Sequence, residues 1–272
     1  MKIQFFCPRW GSENLAWDTF FRKVKDTGYD GVEMGFPPTL PQNEKDQILT
    51  GLNNYSLLFI GQHWQTTEAD FDRHLQVYET HLNSLVAGNP VFINSQTGKD
   101  YFSMDQNMKL IQKAKEISDE SGIPIIHETH RGKWSFAAHI TQLYLQQNPG
   151  IRLTLDASHW CNVAESYLED QQDAINLAIQ HTDHIHARVG HTEGPQVSDP
   201  RDPLWQEALN HHLTWWDKIV QLKKDKQAPV LTITPEFGAP PYTTLLPHTH
   251  QPIANQWDIN CYMKDLLKKR YV

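Results

Sequence analysis

The sequence predicts an α/β fold, specifically a (β/α)8 TIM barrel, on three observations. β-rich apolar runs alternate with amphipathic helical stretches about eight times over 272 residues, the connections between them are short, and no Ser/Gly-rich linker divides the chain. Strand-then-helix repetition calls for a parallel sheet, since each helix must carry the chain back before the next strand begins. Eight such units at this length is what a closed barrel needs, so residues 1–272 are expected to form one barrel domain. The alternative is a doubly wound open sheet, but no G-x-G-x-x-G opens the first unit.

Lys2 to Cys7 reads as the first strand, and Leu15 to Lys25 as a helix whose stripe is Leu15, Phe20, Phe21 and Val24, stopped by Gly28. Gly31 to Gly35 is a short strand ending in Pro37-Pro38, Asn43 to Leu52 a modest helix, and Ser56 to Gly61 a strand running into Gln62-His63-Trp64. The next helix is expected from an N-cap at Thr67, with Glu68 and Asp70 behind it, to Ala87. Val91 to Asn94 is the fourth strand, and Asp105 to Ser121 a helix with Met108, Ile111, Ala114 and Ile117 on one side and Gly122 at its end. Ile123 to Glu128 is the fifth strand, Phe136 to Gln147 a helix halted by Asn148-Pro149-Gly150, and Ile151 to Leu155 the sixth strand. Glu169 to Ile179 is helical, His184 to Val189 is the seventh strand, and a polar loop covers Gly190 to Pro203. Leu204 to Lys226, Val230 to Glu236 and Ile253 to Lys269 are read as helix, eighth strand and closing helix.

Four late strands lose their apolar character in a comparable way, at Glu128, Asp156, His186 and Glu236. Strand C-termini converge on one rim of a barrel, so these residues are expected to meet although they are distant in sequence. Three buried carboxylates beside an imidazole repel one another and require a compensating cation, which a divalent metal supplies. Glu33, His63 and Asn94 also end strands; each could line the same rim or serve as a structural hydrogen-bonding group. Arg131, Arg188 and Arg201 are candidate anion anchors, and Trp10, Trp17, Trp64, Trp134 and Trp160 are divided between core and the aromatic walls that pack against sugar faces. His127-Glu-Thr-His130 lacks H-E-x-x-H spacing and lies on a strand, where neighbours face opposite sides, so a zincin reading is rejected.

A formal charge of −8 argues against general attraction to phosphate backbones, so nucleic acid is not an expected partner. Cys7, Cys161 and Cys261 are odd in number and widely spaced, which fits a reduced, cytoplasmic setting better than a disulfide framework. The first residues hold an apolar run too short for a signal-peptide core, and no stretch of about 18 apolar residues points to a membrane.

The pieces H-E-T-H-R-G around Glu128, L-D-A-S-H around Asp156, H-I-H-A-R around His186 and P-E-F-G around Glu236 resemble the xylose isomerase-like TIM-barrel superfamily of sugar phosphate isomerases and epimerases. The resemblance implies that Glu128, Asp156, His186 and Glu236 hold one metal ion, with His159 near the substrate. It departs from the ketose 3-epimerases, which carry an arginine several residues past the metal histidine; here Thr192 stands there and Arg188 is nearer. It departs too from the apurinic-site endonucleases, since Asn94 occupies one extra-ligand position and Ser198 to Asp202 lacks an Asp-x-His pair.

The function expected is a metal-dependent isomerase or epimerase of a small sugar, sugar phosphate or related hydroxy-carbonyl compound. Proton transfer would run through a metal-stabilised enediolate, with Glu128 and Glu236 as acid and base. His159, Arg188, His63, Asn94, Arg131 and Trp10 are the candidate substrate contacts. Mn²⁺ is favoured, with Mg²⁺, Zn²⁺, Co²⁺ and Fe²⁺ admitted by the mixed ligand set, and a homo-oligomer is compatible with the resemblance. A hydrolase or endonuclease-like enzyme and a non-catalytic sugar-binding barrel are the alternatives.

Overall fold

In the computed structural model, which describes residues 1–272, eight parallel strands close into a barrel in sequence order. They are β1 (Lys2–Pro8), β2 (Gly31–Met34), β3 (Leu58–His63), β4 (Ile93–Ser95), β5 (Ile125–Glu128), β6 (Leu153–Leu155), β7 (Thr182–His186) and β8 (Val230–Thr234). Closure is made by β1 against β8, from Lys2 opposite Val230 to Phe5 opposite Ile233. Around them lie α1 (Trp17–Asp26), α2 (Gln42–Asn54), α3 (Phe71–Val86), α4 (Met104–Ser121), α5 (Ala138–Gln147), α6 (Ala157–Ala164), α7 (Gln172–His181), α8 (Gln206–Asp225) and α9 (Gln256–Tyr271). No helix is long and apolar enough to cross a membrane.

Local chemistry accounts for these elements. Phe20, Phe21 and Val24 place the buried stripe of α1 on the barrel wall, and the same spacing buries Leu110, Ile111, Ala114 and Ile117 of α4. α4 begins with a reciprocal capping box of Ser103 and Gln106 and ends at Gly122, whose φ of 73° is a left-handed conformation that glycine adopts without strain. The main core lies between strands and helices: Val32, Leu153, Leu155, Ile185, Leu231 and Ile233 are all 0 % exposed and pack there.

Register decides which residues enter the barrel instead. Paired residues in a parallel sheet share a face, and successive residues alternate. Gln62 lies opposite Asn94, Asn94 opposite Ile126, Glu128 opposite Thr154, Thr154 opposite His184, and His186 opposite Thr234. This set points inward with Glu33, which is bonded to Asn94, His186 and Thr234. His63, Ser95 and His127 form the opposite set, facing the helices.

Several boundaries differ from the sequence reading. α3 starts at Phe71, not near Thr67, because Asp70 accepts the Arg73 amide as N-cap. β4 starts two residues later and β7 two residues earlier than expected. α9 begins only at Gln256, after its N-cap Asn255. The segment after Asp156, for which the sequence reading gives no element, is α6, with Asp156 itself as the N-cap.

Candidate active site

Glu128 closes β5, Asp156 and Glu236 follow β6 and β8, and His186 closes β7, so all four come from the C-terminal rim. Each offers one ligand atom, and these atoms lie within 4.8 Å of one another. Their solvent exposure does not exceed 2 %. Around a single ion with bonds of about 2.1 Å, opposite ligands stand about 4.2 Å apart, so this spacing suits one shell.

Each acid is aimed by its own partners. Asp156 Oδ1 accepts from the Ser158 amide and hydroxyl at 3.0 and 2.5 Å, while Oδ2 accepts from Arg188 Nε and Nη2 at 3.1 and 2.9 Å. Glu236 Oε1 accepts from Gln62 at 3.0 Å, and its Oε2 accepts from Arg188 at 2.6 Å. Glu128 accepts from the side-chain amides of Asn94 and Gln96. Those amides supply hydrogen bonds without supplying a counter-charge.

Charge therefore governs the site. Burial pushes the Asp156 carboxyl up despite Arg188. Burial also raises Glu236, but His186 and Arg188 outweigh it and hold that carboxyl below its ordinary value. For His186, burial lowers the pKa, yet Glu236, Glu33 and Glu128 drive it well above the usual imidazole range.

The residues fit a divalent ion on a specific observation. His186 Nδ1 is buried and makes no hydrogen bond of acceptable geometry, although Glu236 Oε2 lies 2.8 Å and Glu128 Oε1 3.7 Å away. Its Nε2 faces Glu33 at 3.0 Å. A neutral imidazole with its proton on Nε2 aims the Nδ1 lone pair at oxygen lone pairs, an arrangement that a cation among them relieves.

The site opens into a cavity of about 810 Å³ whose lining includes Gln62, Gln96, Glu236, Arg188 and His130. Trp10, Trp64 and Tyr242 supply aromatic wall. Tyr242 and Trp10 stand edge to face at 5.1 Å, and the Arg188 guanidinium lies 4.7 Å from the Tyr242 ring. Gly238 makes room for this wall: a Cβ there would sit 2.0 Å from the Trp10 ring.

The expected contacts divide accordingly. Trp10 and Arg188 line the cavity. His159 is 0 % exposed beside it, with Nε2 3.6 Å from Asp156 and its ring 3.9 Å from that of His130. Asn94 lies beneath the rim, spanning Glu33 and Glu128. Arg131 donates to Asn162 at 3.3 Å, and its guanidinium lies 5.2 Å from the ring of Tyr242 in the cavity wall. His63 points outward, with Nδ1 3.0 Å from the Ser95 hydroxyl and Nε2 2.7 Å from that of Thr66; its inward neighbour Gln62 takes the place expected for it. Sequence reasoning missed Gln62, Gln96 and Tyr242 as lining residues, and also His130. Strand phase could have found Gln62, and His130 stands two residues beyond Glu128.

No family model and no curated protein matches this chain, whereas 210 solved chains do. The probable 3-DHS dehydratase AsbF from Bacillus anthracis is 16 % identical, with TM-score 0.60, over 99 % of this chain and 100 % of that one. A xylose isomerase-like TIM-barrel protein from Mycobacterium smegmatis, in complex with magnesium, is 10 % identical, with TM-score 0.63, over 99 % and 98 %. A sugar phosphate isomerase/epimerase from Parabacteroides distasonis is 11 % identical, with TM-score 0.60, over 98 % and 93 %. With all eight strands closed in sequence order and this likeness end to end, the chain has the fold of the xylose isomerase-like TIM barrels.

Proposed function

We propose that this protein is a divalent-metal-dependent isomerase or epimerase of a small sugar, sugar phosphate or related hydroxy-carbonyl compound. The observation that carries the reading is the meeting of Glu128, Asp156, His186 Nδ1 and Glu236 beside an aromatic-lined cavity whose wall Glu236 joins. The same-fold proteins that bear isomerase and epimerase names support it. Mn²⁺ is the ion we favour, and Mg²⁺ suits the oxygen-rich set as well.

The bound ion would polarise a substrate carbonyl oxygen and so acidify the adjacent C–H. Glu128 and Glu236 are the proton carriers. The amides of Asn94, Gln96 and Gln62 hold the two side chains in place through N–H donation to their carboxylate oxygens. Arg188 ties Asp156 to Glu236 at the cavity wall that Arg188 and Glu236 line. Trp10, Trp64 and Tyr242 offer apolar faces to a sugar ring and restrict water around the reacting carbon.

The test is solvent exchange. The Mn²⁺-loaded protein, incubated in D2O with a panel of aldoses and ketoses, should place deuterium on the carbon next to the carbonyl of its substrate. Glu128→Gln and Glu236→Gln should each slow that exchange by about 10²–10⁴-fold. Undiminished exchange in both variants, or none with any hydroxy-carbonyl compound, defeats the proposal.

One observation favours a hydrolytic reading. Glu128, His130 and His159 form another group whose ligand atoms lie within 4.8 Å of one another, sharing Glu128 with the first. Two tightly held ions per chain, counted by elemental analysis, would move the assignment toward a metal-bound-water mechanism.

A further inference from the structure

We infer that Glu33 is the positioning residue that turns His186 so that Nδ1, not Nε2, faces the acids of the rim. The inference rests on the reading of that rim as an ion site, and it assigns an orienting role to a carboxylate whose own ligand atom lies within 4.8 Å of those of His184 and His186.

Glu33 is 0 % exposed on β2, one layer beneath the rim. Its Oε1 lies 2.9 Å from Asn94 Nδ2 and 3.0 Å from His186 Nε2. Its Oε2 lies 2.5 Å from Thr234 Oγ1 and 3.2 Å from His184 Nε2. His184 Nδ1 lies 2.7 Å from the Thr232 hydroxyl and 3.0 Å from the Thr232 carbonyl; where the hydroxyl, the nearer of the two, donates to that nitrogen, the ring proton is on Nε2 and goes to Glu33. Each Glu33 oxygen then accepts from two donors, which fills the lone-pair sites of a carboxylate and leaves none for an ion.

This saturation has a directional effect on His186. A ring whose Nε2–H is committed to Glu33 has its lone pair on Nδ1, and that atom stands 2.8 Å from Glu236 Oε2. Asn94 extends the device, because its other N–H reaches Glu128 Oε2 at 3.0 Å. One buried acid thereby orients two of the four rim groups, one directly and one through an amide. With Gln at position 33 an NH2 replaces one acceptor oxygen and confronts the ring of His186 or of His184, and the negative charge that holds the His186 proton on Nε2 is lost.

The experiment uses the full chain, stripped with a chelator and titrated with Mn²⁺, the free ion being read by its EPR signal. Glu33→Gln should weaken Mn²⁺ binding by about 10–100-fold, the range for partners of metal-bound histidines. The Tm of the metal-free variant, measured alongside, separates orientation from general structure. Unchanged Mn²⁺ affinity in a folded Glu33→Gln, even with a lowered Tm, overturns the inference and leaves the ion site standing. Failure of the unmodified protein to bind Mn²⁺, Mg²⁺, Zn²⁺ or Co²⁺ removes the ion site and this inference together.

Should Glu33→Gln not fold, the unmodified chain loaded with Zn²⁺ decides the matter. Two-bond ¹H–¹⁵N spectra should show the His186 ring protonated at Nε2, with His186→Gln assigning the signal. A proton at Nδ1 overturns the inference.

Discussion

The two ends of β6 and β7 handle charge in opposite ways. Where these strands start, Asp183 receives Arg152 through Nε and Nη2, both at 2.7 Å, and is also joined by Lys223. Where they end, Glu33, Glu128, Asp156 and Glu236 gather around one guanidinium, that of Arg188, and the His186 ring. At the first end the chain supplies all the counter-charge that its acid needs. The second carries more negative charge than Arg188 can neutralise, and it relies on a protonated imidazole or on an added cation. A barrel tolerates such a surplus at the rim because the rest of its wall supplies the stability.

The sharpest way to break this contrast is Glu128→Gln. Turnover should fall by about 10³-fold, while the metal-free protein should melt within about 2–4 °C of the unmodified one, since the change removes repulsion among the acids together with the attraction to the His186 ring 3.7 Å away. Activity assays and calorimetry on the same preparation check both halves.

Acid should next expose the cost of imidazoles buried outside the rim. Burial pushes His127 and His212 down to about 4. In an unfolded chain both take up protons near pH 6.5, so their contribution is fully present above that pH and is lost as pH falls toward 4. The loss amounts to up to about 3 kcal/mol apiece in the acid limit. Burial raises the Asp183 carboxyl, but Arg152 and Lys223 outweigh it and hold the pKa below its ordinary value, so its share vanishes only at still lower pH. Urea unfolding between pH 7 and 4 should show this decline, and a flat profile would contradict it.

At the balanced end, Asp183→Asn should lower stability by about 1 kcal/mol, a modest figure because the Asp183 side chain is 37 % exposed, and should leave turnover alone. A loss of activity there would erase the distinction between the two ends. The smallest effect is expected at the cavity mouth. Trp64 is 54 % exposed, so Trp64→Ala should spare Tm and raise KM by about fivefold, in line with the ~1 kcal/mol typical of an aromatic contact.

The barrel was legible because Phe20, Phe21 and Val24, or Ile111, Ala114 and Ile117, carry helical periodicity between β-rich runs. The rim was legible because each of its residues follows such a run. Phase was harder to read. His63 and Gln62 are adjacent, and a single-residue slip exchanges inside for outside. α6 was hidden by the double duty of Asp156 and by a short His-Trp-Cys-Asn segment with little helical preference. Glu33 looked like any strand-end acid, since nothing local reveals that His184 and His186 approach it from across the barrel, more than 150 positions away.

Asp156 joins the rim with one oxygen and caps α6 with the other, through the Ser158 backbone N–H at 3.0 Å. Whatever changes the electron density on that carboxylate must be felt at this amide. Its nitrogen resonance and its exchange lifetime are consequently a native gauge of occupancy, readable in a ¹⁵N-enriched sample without inhibitor or knowledge of the substrate.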